Sequence, residues 1–169
     1  MSAKHAIDAA LKEVDSEEIM IYKKGMERLM ANYSDEVRQS LGKPIANEWA
    51  FVTTYDGVEM IGEIDKIVEK DGHIHLYDFK TNNVRVRSSQ EWLDYYKPQL
   101  YLYSYAYEKE TKKAVASASL YLFNDREKPI HTLSFKKEEE EKVLSAIKRL
   151  IALRQKEAGR QEYIEAKTK

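Results

Sequence analysis

Residues 62–80 read GEIDKIVEKDGHIHLYDFK. Two apolar-rich runs, Ile61–Val68 and Ile74–Phe79, flank Asp71-Gly72. Asp-Gly is a strong signal for a two-residue hairpin turn, because the central residues of that turn need positive φ. With Asp71 and Gly72 as the turn, Lys70 pairs with His73 and Asp65 falls opposite Asp78. Side chains alternate along a strand, so Lys80 shares the sheet face of Asp78. Asp56-Gly57, after the run Trp49–Tyr55, sets a second such turn. It pairs Tyr55 with Val58 and brings Glu48 opposite Asp65. The expectation is a row of three carboxylates, Glu48, Asp65 and Asp78, across three adjacent strands, with Lys80 one step along. Directly opposed residues have Cβ atoms ~4.5–5.5 Å apart. Carboxylates at that separation repel unless a proton or a cation lies between them. A hard divalent cation, Mg2+ or Mn2+, suits such an all-oxygen ligand set. The competing reading is a solvated sheet face, the setting that Glu59 and Glu69 also suit. A one-residue error in either turn also moves a strand's side chains to the other face. Glu63 falls opposite Lys80 as a salt-bridge partner, and His73 and His75 fall on the face away from Asp78.

Toward the N-terminus, Ala6, Ile7, Ala10, Leu11 and Val14 recur at helical spacing over Ser2–Val14, with His5 near the start. Ser16 suits the cap of a second helix, with Glu17 and Glu18 in its first turn. Ile19, Tyr22, Met26, Leu29, Met30 and Tyr33 form its apolar stripe. Ser34-Asp35 begins a short helix that Gly42 and Pro44 end. Beyond Thr81 the chain reads NNVRVRSSQEWLDYYKP. Arg85 and Arg87 there suit a phosphate backbone, and equally a solvated loop. Trp92, Tyr95 and Tyr96 suit packing, or stacking on unpaired bases. Pro98 fits the first position of a helix. The following tyrosines alternate as in a strand, but length and Pro98 favour a helix, on which Gln99 and Tyr103 are one turn apart. Ala114–Phe123 reads as a buried central strand and Ile130–Phe135 as a short fifth. Ser134 suits the cap of a last helix to Ala158, stopped by Gly159, with 160–169 a charged tail.

The 169 residues suit one domain, over 1–159, that buries about 70% of its extended-chain surface. Hydrophobic residues make up 43% and charged residues 34%, with only 3 Pro and 6 Gly, so long disordered linkers are not expected. There is no cysteine, which excludes disulfides, zinc-thiolate sites and thiol nucleophiles. No apolar run reaches the ~20 residues that span a bilayer, and no secretion signal is legible, so the expected location is cytoplasmic and no membrane partner is expected. A net charge of −1 weighs against a protein that coats DNA non-specifically, but not against a local basic patch.

Gly62-Glu63-Ile64-Asp65, Asp78-Phe79-Lys80-Thr81 and Gln99-Leu100-Tyr101-Leu102-Tyr103 stand in the order and spacing of a known pattern. In these residues the chain resembles the PD-(D/E)XK nuclease superfamily, and its RecB-like exonuclease family in particular. The likeness runs from His5 to the helix ending near Ala158. It implies an α/β sandwich, a restriction-endonuclease-like core with a central mixed sheet flanked by helices. It implies a metal-dependent DNA nuclease, an exonuclease of recombination or repair often joined to a helicase domain or subunit. It also implies roles. Asp65, Asp78, the Phe79 carbonyl and His5 would hold Mg2+ or Mn2+, with Glu48 assisting, and Lys80 would position the attacking water. Gln99 and Tyr103 would border the site, although Tyr103 is equally suited to packing on the sheet. Ile64 stands where the superfamily's nominal proline would be. Some relatives bind an iron–sulfur cluster through cysteines, and this chain has none to do so. The rival functions are a non-catalytic DNA-binding module on the same fold and a nuclease of RNA or branched DNA. No phosphate-binding Gly-x-x-x-x-Gly-Lys loop is present, so any motor lies elsewhere.

Overall fold

The computed structural model describes the backbone of residues 16–167 and the side chains of 23–154 and 156. The helix expected over Ser2–Val14, with His5, lies outside the described residues. The three central strands form a meander, β1 (Lys43–Tyr55), β2 (Val58–Lys70) and β3 (His73–Lys80). Both connecting turns have positive φ at both residues: Asp56 48° and Gly57 80°, then Asp71 52° and Gly72 77°. That conformation matches the right-handed twist of the strands it joins. The register follows as expected, with Tyr55 opposite Val58 and Lys70 opposite His73.

The ladder breaks where the acids fall. Asn47 pairs with Lys66 and Trp49 with Ile64, but Glu48 and Asp65 between them do not pair. Glu48 has φ 51°, a left-handed conformation inside a strand. An uninterrupted strand returns to the same face every second residue. Here Ala46 and Trp49, three apart, both pack on the same core, as do Ile64 and Ile67 on β2. Both strands therefore turn over at Glu48 and Asp65. The β2–β3 ladder also stops at Lys66–Tyr77, one step short of Asp65 and Asp78.

After β3, helix α3 (Ser89–Thr111) crosses over to β4 (Val115–Leu122), which lies parallel to β3. A short β5 (Ile130–Thr132) pairs antiparallel with β4, completing a five-stranded mixed sheet in the order β1-β2-β3-β4-β5. β4 is buried continuously from Ala118 to Leu122, as a central strand covered on both faces must be. One face carries the main core. Ile64, Ile67, Leu76, Ala118 and Leu120 meet Leu100, Tyr101, Tyr103 and Ala106 of α3 there. Each fully buried side chain of Leu or Ile size contributes about 1.5–3 kcal/mol. On the other face Leu41, Val68 and Tyr77 pack with Tyr33 and Phe79. Tyr33 follows helix α1 (Ser16–Met30), and Leu41 follows the short α2 (Asp35–Ser40), capped by Ser34.

Three expectations need correction. Helix α3 starts at Ser89, not at Pro98. Ser88 and Glu91 form a capping box, each side chain accepting the other's backbone N–H. Pro98 lies inside the helix, and the missing donor is tolerated because Pro98 is on the exposed side. The last helix, α4 (Lys137–Lys167), starts after Ser134 rather than on it and runs through Gly159. One glycine costs a helix about 1 kcal/mol and does not stop a 31-residue one. Residues 160–167 therefore continue the helix. α4 lies along α3 through Tyr101 and Lys97, both on Glu139, and reaches the β1–β2 turn through Lys148 on Asp56. Among the described residues, no helix is long and apolar enough to cross a membrane.

Candidate active site

The site is built at the end of β3, where the sheet opens on the β2 side. Asp78 faces the main core and is 1% exposed. Lys80, two residues on and on the same face, places its ammonium 2.9 Å from Asp78 Oδ1, to which it donates. The same nitrogen is 2.7 Å from Oδ2, outside hydrogen-bonding geometry, so that buried oxygen has no hydrogen bond. Burial pushes the Asp78 carboxyl up from the ordinary 3.8 to about 6; Lys80 lowers it in part, and the charge of Asp65 raises it. Lys80 also sits 4.7 Å from the centre of the Tyr96 ring, a cation–π contact. The Tyr96 hydroxyl is held by Asn82 Oδ1 at 3.1 Å.

Asp65 enters through the break in the ladder. Its Oδ2 accepts the Phe79 N–H at 2.6 Å, standing in for the strand–strand bond that β2 no longer makes. The Lys80 carbonyl accepts from Phe123 on the β4 side. Backbone groups alternate in direction along a strand, so the Phe79 carbonyl points with its N–H toward Asp65. The Phe79 ring packs on the opposite face, edge-on to Tyr33, Tyr121 and Phe123. That aromatic cluster anchors the strand end whose other face presents Asp78 and Lys80. Gly62 belongs to the same construction. A Cβ there would stand 2.5 Å from Phe51 Cζ, so only glycine lets Phe51 close over the strand.

α3 covers the site. Gln99 Nε2 donates to the Tyr103 hydroxyl at 2.7 Å, one helical turn apart, as the spacing implied. Burial holds the Tyr103 hydroxyl well above its ordinary pKa, and the charges of Asp78, Asp65 and Glu63 add to the effect. Tyr103 is therefore a neutral donor facing two carboxylates. It also packs edge-on against Phe51, as its packing reading expected.

The expected row of three carboxylates does not form. Glu48 is exposed, at the left-handed turnover of β1. Among the described residues no three His, Asp or Glu side chains gather to hold a metal. Glu63 is exposed and unpaired with Lys80, because the β2–β3 ladder ends before it. His75 bonds Ser117 at 2.8 Å and His73 bonds the Asp71 carbonyl at 2.8 Å, both structural. Arg87 stacks over Trp92 and Tyr95, at 5.1 and 5.5 Å, and Arg85 is exposed in the loop after β3. Tyr96 is the site neighbour that sequence reasoning left among packing residues. Its signal was the helical spacing of Tyr96, Gln99 and Tyr103 along one stripe.

The sequence profile of the PD-(D/E)XK nuclease superfamily matches residues 2–168. The chain belongs to that superfamily. The five-stranded mixed sheet flanked by helices is the architecture expected of this PD-(D/E)XK chain. No curated protein sequence matches it.

Proposed function

We propose that this PD-(D/E)XK chain is a DNA nuclease of the RecB-like branch that works with Mg2+ or Mn2+. Membership of a nuclease superfamily supports phosphodiester hydrolysis as the reaction class. The observation that carries the metal is Asp78 Oδ2, a carboxylate oxygen buried without a hydrogen bond beside a second carboxylate. Lys80 pairs with this carboxylate, but a buried oxygen left without a hydrogen bond is still costly, and a bound cation would coordinate it. The donors at hand are the carboxylates of Asp65 and Asp78 and the Phe79 carbonyl, all hard oxygens of the kind Mg2+ and Mn2+ prefer. His5 would complete the set from outside the described residues, and Glu48 could assist only through a water.

The bound ion would supply Lewis acidity toward the phosphate and a more acidic water. The chain's own residues supply the rest. Asp65 and Asp78 fix the position of the reacting phosphate's partner groups. Lys80, tethered to Asp78 and backed by the Tyr96 ring, orients the attacking water and stabilises the negative charge that grows on the phosphoryl oxygens. As the water oxygen bonds to phosphorus, the bond to one sugar oxygen breaks; the water gives up one proton to solvent, and the departing sugar oxygen takes one up from solvent. Tyr103, kept protonated and held by Gln99, offers its proton as a hydrogen-bond donor at the same place. Arg85 and Arg87 would hold the flanking backbone. Work in recombination or repair as an exonuclease, beside a helicase domain or subunit, is the biological setting this branch supports.

The test is digestion of end-labelled single- and double-stranded DNA with Mg2+, with Mn2+ and with chelator. Cleavage that needs metal and vanishes in Asp78→Ala and Lys80→Ala supports the nuclease and reveals its polarity. Metal-independent retention of DNA without cleavage would leave a non-catalytic binding module instead.

A further inference from the structure

Outside the acidic site, three arginines from three separate segments meet at one cavity of about 160 Å3. It is lined by Arg28, Asn83, Arg85, Asn124 and Arg126. Arg28 comes from the last turn of α1, Arg85 from the loop after β3, and Arg126 from the β4–β5 loop. Hydrogen bonds pin these segments together at one end of the sheet. Asn32, one turn beyond Arg28, donates to the Phe123 carbonyl at 2.7 Å and accepts from the Tyr121 hydroxyl. Asn124 Nδ2 donates to the Thr81 carbonyl at 2.6 Å, and Phe123 N–H donates to the Lys80 carbonyl at 3.0 Å. Asn83 Oδ1 accepts the Arg85 N–H at 2.9 Å, which leaves the Asn83 amide nitrogen as a donor.

The three arginines are exposed and line one cavity, so it gathers three positive charges that an anion would balance. Among the described residues none of the three makes an ion pair. The adjacent acid, Asp125, is committed elsewhere: its carboxylate accepts from Ser89, Lys128 and His131 and does not line the cavity. The three guanidiniums are donors only, and the Asn83 and Asn124 amides add further polar groups to the lining. Planar guanidiniums match the oxygens of a phosphate group in pairs. Asn83 is three residues from Lys80, a reach of at most about 10 Å of extended chain, or on the order of three nucleotides of axial rise.

We infer that this cavity binds a phosphate group of the DNA strand whose neighbouring phosphodiester lies at Asp65, Asp78 and Lys80. The inference rests on the nuclease reading for its choice of ligand and adds a second anchoring point to it. The phosphate is either internal to the strand or at its end. An anchor a few nucleotides from the reacting bond fixes where along the strand the bond is presented. It touches no reacting atom, so it acts on binding and register rather than on the chemical step.

The experiment follows binding of a short fluorescent single-stranded oligonucleotide by anisotropy, in chelator, across a salt titration. Chelator separates the two readings, since binding is then measured whether or not the chain cleaves. Arg28→Ala, Arg126→Ala and the double variant are compared with Arg149→Ala, a control on α4 outside the cavity. Each single cavity variant is expected to weaken binding on the order of tenfold and the double variant further, with the salt slope reduced by up to about 0.7, the share of one phosphate contact. Arg149→Ala is expected to leave both near the starting value. Strands with 5′-phosphate, strands with hydroxyl ends and circularised strands distinguish the sources. Equal losses on all three indicate an internal phosphate, and losses confined to the phosphorylated strand indicate a terminal one. Cavity variants with unchanged affinity and slope overturn the inference. So does an equal loss in Arg149→Ala, or no binding by the unaltered chain.

Discussion

Asp78 is where the cost of the site is concentrated, and it makes stability depend on pH. Its folded value, about 6, lies above the ordinary 3.8, so the folded state binds the proton more tightly than the unfolded state. A raised acid contributes its stability in full below the unfolded value and loses it as pH rises through the folded one. The metal-free chain is therefore expected to lose up to about 3 kcal/mol between pH 4 and pH 7 from this group. Denaturant unfolding in chelator measures this, and Asp78→Asn, which carries no charge at any pH, should flatten that part of the profile. A persistent slope of the same size in Asp78→Asn would place the effect elsewhere. Gly62 is a second single-atom matter. Gly62→Ala puts a methyl within 2.5 Å of Phe51 and should cost about 1–3 kcal/mol by overpacking. Phe51→Leu in the same chain should recover part of the loss, so the two effects should not add in a double-mutant cycle. Asp78 and Lys80 were legible as face-sharing residues because strand alternation holds along β3. Glu48 was misplaced because nothing in its sequence announces a left-handed residue in mid-strand, and one such residue turns a strand over.

At the level of elements, the two Asp-Gly turns were legible because their chemistry is local. Each requires positive φ at two residues, and the register of two ladders followed from them. The helix starts were harder, since several residues can each begin a helix and only one does. Pro98 suits a first turn but is tolerated within α3, while Ser88 and Glu91 satisfy the true start from both sides. Ser134 was chosen by the same rule and failed, because α4 begins at Lys137. The contrast is measurable. Ser88→Ala removes the acceptor of the Glu91 N–H and should destabilise the chain by about 1 kcal/mol. Ser134→Ala, at an exposed position that caps nothing, should stay within about 0.5 kcal/mol. Both are read by denaturant midpoints at constant slope. The end of α4 was misread because Gly159 was given the weight of a stop that a long helix overrides.

For the whole molecule, the element order and the mixed α/β sheet were legible, because a meander followed by helix and strand leaves few ways to build a sheet. What was not legible is that the site lies where the sheet stops being a sheet. β2 leaves β3 at Asp65, and a carboxylate and a strand carbonyl then share the gap that a ladder bond would have closed. Beside that gap Asp78 Oδ2 is buried without a hydrogen bond, so a cation that coordinates it should stabilise the fold as a whole. A ligand that binds only the folded state adds RT ln(1 + [L]/Kd), about 2.7 kcal/mol at a hundredfold excess over Kd. For a chain of this length each kcal/mol raises Tm by about 2–4 °C, so Mn2+ at that excess should raise Tm by roughly 5–10 °C. Asp78→Ala should abolish the shift, since the unsatisfied oxygen is gone. Lys80→Ala should keep or enlarge it, because removing the ammonium takes away the cation that pairs with Asp78 among the described residues. Loss of cleavage in Lys80→Ala with the metal shift retained would separate the residue that acts on substrate from those that hold the ion. An unaltered chain whose Tm ignores Mn2+ at every pH above about 6 would remove the metal from this site and the nuclease mechanism with it.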